Sequence, residues 1–199
     1  VSRPPSPRKS RADATLNRAR IIAAARTLFA ERGAAVQLPE IARAAGVGIG
    51  TVYRHFPAHA ELIEAAAEQR FAEIEDFART ECLRGAEPGQ GLARYLSHVG
   101  EVLTADRGLS AAIAAAREST GSEPRGAARA RLEAVIGELI ERDREAGTLR
   151  GDCTPGDVYL IVGALSATIS SGSGDWRRLV EIVLDGLRPK GDRVGDRRG

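Results

Sequence analysis

Apolar residues recur at helical spacing along almost the whole chain, and no run alternates with the period of two that a half-buried strand requires. Between Asn17 and Arg32 they fall at Ile21, Ile22, Ala25, Leu28 and Phe29, and Gly33 follows where a left-handed cap would end a helix. A second helix is predicted from Leu38 to Ala45, with Pro39 in its first turn and Ile41, Ala42 and Ala45 facing inward. A third, from Ile49 to Phe56, is stopped by Pro57. A longer helix reads from Ala60 to Leu83 through Leu62, Ile63, Ala66, Phe71, Ile74 and Phe77. Five more follow, at Leu92–Thr104, Leu109–Glu118, Arg125–Ala146, Pro155 to about Ser170, and Asp175–Leu187. The expected fold is therefore all-α, with a small N-terminal helical domain over 15–60 and a larger helical domain over 61–188. Residues 1–14, rich in proline and basic side chains, read as a disordered arm, and 189–199 as a flexible tail.

The third predicted helix is too short to be stable alone and too polar to be buried all round. Glycines crowd before it in "AGVGIGTVYRHFP", which implies a tight turn. Two short helices joined this way make a helix-turn-helix, whose second helix enters the DNA major groove. Val52 and Phe56 would face inward with Val47, Ile41 and Leu28. Gly48 and Gly50 would let the backbone approach a phosphate or base edge. Thr51 offers a hydroxyl and a methyl, Tyr53 a phenol, and Arg54 a fork that suits guanine or phosphate. A plain helical hairpin whose exposed face carries Arg and Tyr fits the same spacing.

Charge adds an asymmetry that the net +2 conceals. Residues 1–60 hold ten Arg or Lys against three Asp or Glu, so the remaining 139 residues carry −5. A basic first segment on an acidic remainder suits a polyanionic partner, although a solvated basic tail has the same composition. Arg3, Arg8, Lys9 and Arg11 in the arm would add affinity that is independent of sequence. No apolar run approaches a membrane span, the N-terminus does not read as a secretory signal, and two distant cysteines fit a reducing cytoplasm.

Catalytic and metal chemistry find no support. No nucleophile–base set, phosphate loop or dinucleotide fingerprint appears, and no cofactor is implied. His55 and His59 are four apart, but Pro57 interrupts the helix between them and no further ligand lies at the right spacing. Cys82 reads as an apolar filler more readily than as a redox sensor.

The stretch "RARIIAAARTLFAERGAAVQLPEIARAAGVGIGTVYRHFPAHAELIEAA" resembles the N-terminal domain of tetracycline-repressor (TetR) family regulators, through "LFAERG", "IARAAGV", "GTVYRHF" and "P..AEL". The resemblance implies a homodimer whose small domain binds an operator half-site and whose larger domain dimerises and binds a small ligand. It places Gln37 against the DNA backbone and Gly48, Ile49, Gly50 and Thr51 toward base edges. Tyr53 and His55 take phosphate-contact positions, and Arg54 a variable contact. Three residues depart from the family pattern. Gln37 and Ala58 replace helix caps, each a loss of about 1 kcal/mol, and His59 replaces a phosphate-binding lysine.

Two further expectations concern the larger domain. An apolar ligand pocket would be lined by Phe71, Phe77, Tyr95, His98, Val99, Val102, Ile113, Arg117 and Ile136, with His98 and Arg117 as polar handles. A core closed by alanines is the competing reading. "VYLIVGALSATI" is apolar nearly all round, so Gly163, Ala164 and Ala167, with Trp176, Val180, Val183 and Leu184 of the last helix, would form a four-helix dimer interface. The expected function is a transcriptional repressor released from double-stranded operator DNA by a small hydrophobic ligand; the alternative is a dimeric DNA-binding protein without an effector.

Overall fold

The computed structural model describes residues 7–119 and 121–189, with side chains from residue 12 onward. Among the described residues there are nine α-helices and no strand: α1 (Pro7–Arg32), α2 (Leu38–Ala45), α3 (Ile49–His55), α4 (His59–Phe77), α5 (Gly91–Ala105), α6 (Arg107–Ala116), α7 (Gly126–Glu145), α8 (Pro155–Ser171) and α9 (Trp176–Gly186). A 3-10 turn at Gly33–Ala35 follows α1, and a π-helical turn at Ala78–Arg84 continues α4. Among the described residues no helix is long and apolar enough to cross a membrane.

The first helix starts earlier than its apolar stripe. The chain is helical from Pro7, so the second half of the expected arm belongs to α1. Arg3 and the side chains of Arg8, Lys9 and Arg11 lie outside the described residues, as does the tail from residue 190.

The chain divides into two compact units. The first comprises the chain up to Ala72 together with Val102–Pro124; the second comprises Glu73–Glu101 and the chain from Arg125 onward. The cut falls inside α4 rather than before it, and α6 joins the N-terminal helices. Close backbone approach accounts for that placement. A β-carbon at Gly108, in the first turn of α6, would stand 2.0 Å from the carbonyl oxygen of Phe29. Only glycine allows α6 to lie this close to the end of α1.

The core of the first unit contains Ile21, Phe29, Ile41, Val52, Phe56 and Leu62, all buried. Val47 and Leu28, expected beside them, are only half-buried. The second unit is built around buried Leu96, Val135, Leu139, Val158 and Leu165. Its helix ends are satisfied by identifiable groups. The buried Asp143 carboxylate on α7 accepts from the Gly91 and Leu92 amides at 3.2 and 2.8 Å, closing the N-terminus of α5. Thr154 and Asp157 cap α8 reciprocally: the Asp157 amide donates to the Thr154 hydroxyl at 3.3 Å, and the Thr154 amide donates to the Asp157 carboxylate at 2.8 Å. The Thr154 hydroxyl, which donates to the Asp157 carboxylate at 2.7 Å, and the Thr154 amide hold that carboxyl below its ordinary pKa. In the π-helical turn the Arg142 guanidinium donates to the carbonyls of Cys82 and Leu83 and, at 2.5 Å, of Ala86.

Candidate DNA-contacting site

The turn between α2 and α3 is set by one glycine. Gly46 adopts φ 64°, ψ 39°, and its amide donates to carbonyls of the last turn of α2, while the Val47 amide donates to Ala42 at 3.0 Å. A side chain there would be strained by the left-handed backbone and would meet the Arg20 guanidinium at 2.8 Å. Gly48 and Gly50 are different. Both have negative φ, and a β-carbon on either meets no heavy atom within 4 Å. The turn requires Gly46; among the described residues no contact requires glycine at 48 or 50.

Because Val52 and Phe56 are buried on one side of α3, the other side is presented outward. Ile49 and Tyr53, one helical turn apart, are 40 % and 51 % exposed, which is high for such apolar groups. Gly50 and Arg54 are exposed beside them, and Thr51 is half-exposed. His55 is half-buried, its ring tilted against Phe56. The structure thus brings Ile49, Gly50, Tyr53 and Arg54 together on one outward face, with Thr51 at its margin.

His59 sits elsewhere in its own environment. It opens α4 with its ring edge-on to Phe29 at 5.5 Å, and its Nε2 atom is buried without a hydrogen-bond partner. Gln37 precedes α2, and the expected loss of a cap there is offset. The Gln37 amide donates to the Glu40 carboxylate at 3.0 Å, and Arg32 holds the same carboxylate at 2.7 Å. The Arg32 hydrogen bond and the Gln37 amide both keep Glu40 below its ordinary pKa. The signal is present in "QLPE", where the acidic residue stands three after the cap position. Two further cations beside the turn carry no mark in the sequence: Arg20, against Gly46, and Arg18, whose guanidinium lies 5.3 Å from the centre of the Phe56 ring.

The residues expected to line a ligand pocket fall in both units. In the first, Phe71 and Ile113 are buried and Val102 is half-buried. Arg117, expected as a polar handle, already pairs with both oxygens of Glu64 at 2.6 and 2.7 Å and donates to the Glu123 carbonyl. In the second, Tyr95, Val99 and Ile136 are buried, and Phe77 stacks on His98 with ring centres 3.6 Å apart. Burial lowers the His98 pKa, which favours the neutral imidazole. Burial also pushes the Cys82 thiol up to about 11, which keeps it in the unreactive protonated form near neutrality.

The residues expected at a dimer interface separate as well. Trp176 and Val180 are buried within the chain, and the Trp176 ring fills the space beside Gly100, where a β-carbon would stand 2.2 Å from it. Gly163, Ala164 and Ala167 are exposed, and Val183 and Leu184 are half-exposed. Leu160 and Ile182 are the most exposed large apolar residues of α8 and α9, at 75 % and 54 %.

An all-helical chain with a helix-turn-helix that presents a short helix outward defines a DNA-binding regulator. Residues 21–66 match the family model for bacterial regulatory proteins of the tetR family, and residues 87–189 match the C-terminal domain of SbtR-like transcriptional regulators. Among solved structures, a TetR regulatory protein from Mycobacterium vanbaalenii is 36 % identical, with a TM-score of 0.66 over 89 % of this chain and 98 % of that one. A TetR transcriptional regulator from Streptomyces coelicolor is 34 % identical, with a TM-score of 0.67 over 87 % and 99 %. RolR, solved in complex with resorcinol, is 26 % identical, with a TM-score of 0.59 over 90 % and 91 %. No curated protein matches the chain. The chain belongs to the TetR family: it is a DNA-binding transcriptional regulator and not an enzyme. Family membership implies operator binding, dimerisation and a small-molecule effector.

Proposed function

We propose that this protein is a cytoplasmic homodimeric repressor that grips an operator through the outward face of α3 and lets go when a small, mainly hydrophobic molecule binds. The observation that carries the operator contact is the pair of glycines at positions 48 and 50. A β-carbon on either would meet no heavy atom of the described residues, yet they stand beside exposed Ile49, Tyr53 and Arg54. Gly48 is the N-cap of α3, where glycine is well suited, but Gly50 lies inside the first turn, where glycine costs stability relative to alanine. It is understandable where a backbone must come close to an external surface. Tyr53 and Thr51 would hold phosphates, and Arg54 would reach a base edge or phosphate.

Effector release draws support from RolR, a similar protein whose structure holds resorcinol. It also draws on the placement of α6, whose Gly108 touches the end of α1 in the same unit as the recognition helix. A ligand that moves α6 would move the helix against which α2 and α3 are packed. A coupling of about 1–3 kcal/mol gives a 5–150-fold loss of DNA affinity.

The DNA reading is tested by anisotropy titrations on the duplex upstream of the protein's own gene. Tyr53→Phe should weaken binding to all sequences alike. Arg54→Ala should cost about 1–3 kcal/mol and relax preference at one operator position if it reads a base. Both variants should melt like the parent. Two well-folded variants that bind the operator undiminished would remove α3 from the interface.

A further inference from the structure

Arg70 is the largest fully buried side chain among the described residues, at 1 % exposure, and none of its hydrogen-bond partners is a carboxylate. Its Nη1 donates to the Ser110 hydroxyl at 2.9 Å. Its Nη2 donates to the Ser122 carbonyl at 3.1 Å and, more weakly, to the Ser122 hydroxyl at 3.4 Å. The Nε–H is buried and unpartnered. The guanidinium carbon lies 5.0 Å from the centre of the Phe71 ring.

A buried ion normally sits against a counter-ion, because the cost of removing it from water is several kcal/mol. No carboxylate is in hydrogen-bond contact with Arg70; Asp106 attracts it from further off. Asp106 is taken by Arg26 at 3.4 Å, and Arg117 is matched bidentately by Glu64. Arg70 is thus held by neutral hydrogen-bond partners, while the carboxylate that acts on it, Asp106, is bonded to Arg26. Burial pulls its pKa down to about 10, which still leaves it charged at neutral pH. Packing does not explain such a residue, since methionine or leucine would fill the volume without the desolvation cost.

We propose that Arg70 is the receptor for an acidic effector: its fork takes the carboxylate of a small organic acid, and the Ser110 and Ser122 hydroxyls turn to donate to the same oxygens. The proposal rests on the effector reading above and adds the chemical class of the ligand. The chemistry is complementary. Two parallel N–H donors at Nη1 and Nη2 match the two carboxylate oxygens. Both serine hydroxyls accept from Arg70 in the free protein, and by rotating either can present its proton to an anion. The acid replaces neutral acceptors with an ionic partner, so the incoming charge is bound where its absence leaves a buried cation without a hydrogen-bonded counter-ion. The Ser122 carbonyl must give up its place, which makes binding and a shift of the segment after α6 one event. Since α6 carries Ser110 and also abuts α1, occupation of Arg70 reaches the helices of the DNA-binding unit directly.

The test uses the full chain, its melting temperature, and its affinity for the duplex upstream of its own gene. The probes are benzoate and octanoate, their neutral counterparts benzamide and octanamide, and resorcinol as a neutral aromatic. Benzoate or octanoate should raise the melting temperature and release DNA at concentrations at least tenfold below the matching amide. In Arg70→Met that tenfold preference should vanish in a variant that still folds and binds the duplex. Arg70→Lys, which keeps the charge but loses the fork, should retain part of the preference. Equal response to acid and amide, or an undiminished acid preference in Arg70→Met, overturns the proposal. A response to resorcinol or the amides alone overturns it while leaving the effector reading intact. Silence from every probe counts against both.

Discussion

A methyl group added at Gly50 has nothing to collide with inside the protein, and the backbone there already has ordinary helical φ. Alanine should therefore stabilise α3 by about 0.5–1 kcal/mol, the difference in helix propensity. If the position faces DNA, the same methyl group should obstruct the approach of backbone to phosphate or base. Gly50→Ala is thus expected to unfold at a slightly higher temperature and to bind operator at least tenfold more weakly, a combination that calorimetry and anisotropy read independently. A variant that gains stability and keeps full affinity would mean that α3 does not bring its first turn to the duplex. Residue chemistry is partly legible here. The sequence marks Tyr53, Arg54 and the glycines, because small and polar residues on so short a helix have no core to serve. It does not separate Gly46, which a left-handed turn demands, from Gly48 and Gly50, which no internal contact demands. That distinction depends on φ and on what surrounds an absent β-carbon. Arg70 gives no signal of its own, because an arginine on an amphipathic helix reads as a solvated residue, and only burial shows otherwise.

Periodicity locates α2, α3 and α5 to α9 to within a few residues, since each buries one stripe and is bounded by proline, glycine or a capping side chain. The exceptions have local causes. α1 extends back to Pro7 through a polar stretch without an apolar stripe, so periodicity gives no sign of it. The expected single helix to Leu83 becomes π-helical from Ala78, where Arg142 on a distant helix holds the carbonyls of Cys82, Leu83 and Ala86. Such a long-range tie leaves no trace in local spacing. The grouping of α6 with α1 is hidden for the same reason. It depends on Gly108, where an added β-carbon would lie 2.0 Å from the Phe29 carbonyl oxygen and 2.7 Å from that of Ala30. Gly108→Ala must therefore push α6 away from α1, since neither carbonyl can yield without disrupting the end of the helix. We expect a loss of about 1–3 kcal/mol in denaturant unfolding, the usual cost of overpacking, and a weakened link between effector and operator affinity. The opposite stability effects of one substitution at Gly50 and Gly108 would separate an open glycine from a contact glycine. A neutral Gly108→Ala would show that α6 has room to retreat and does not report to the head.

At the scale of the whole molecule, the exposed apolar surface of α8 and α9 bears on assembly. Leu160, at 75 % exposure, and Ile182, at 54 %, stand out from helices whose other large apolar residues are more covered. Gly163, Ala164 and Ala167 leave a low surface along α8 on which another helix can lie close. An apolar face of this kind, next to small residues, is expected at a contact between subunits. In a two-fold dimer each residue is used twice, so Leu160→Glu would place two charges in the apolar contact and remove two buried leucines, each worth about 1.5–3 kcal/mol. The variant should sediment as a monomer at concentrations where the parent is a dimer, while its circular dichroism stays that of a folded helical protein. Trp176→Phe is the matching control: because Trp176 packs on Gly100 within its own chain, it should lower the melting temperature without shifting the monomer–dimer equilibrium comparably. Operator affinity should fall with the loss of the dimer, because two recognition helices bound to one another engage neighbouring major grooves together and a free subunit grips only one. Were Leu160→Glu to remain dimeric with undiminished operator binding, the subunits would have to meet through another face. The exposed leucine would then need a different partner.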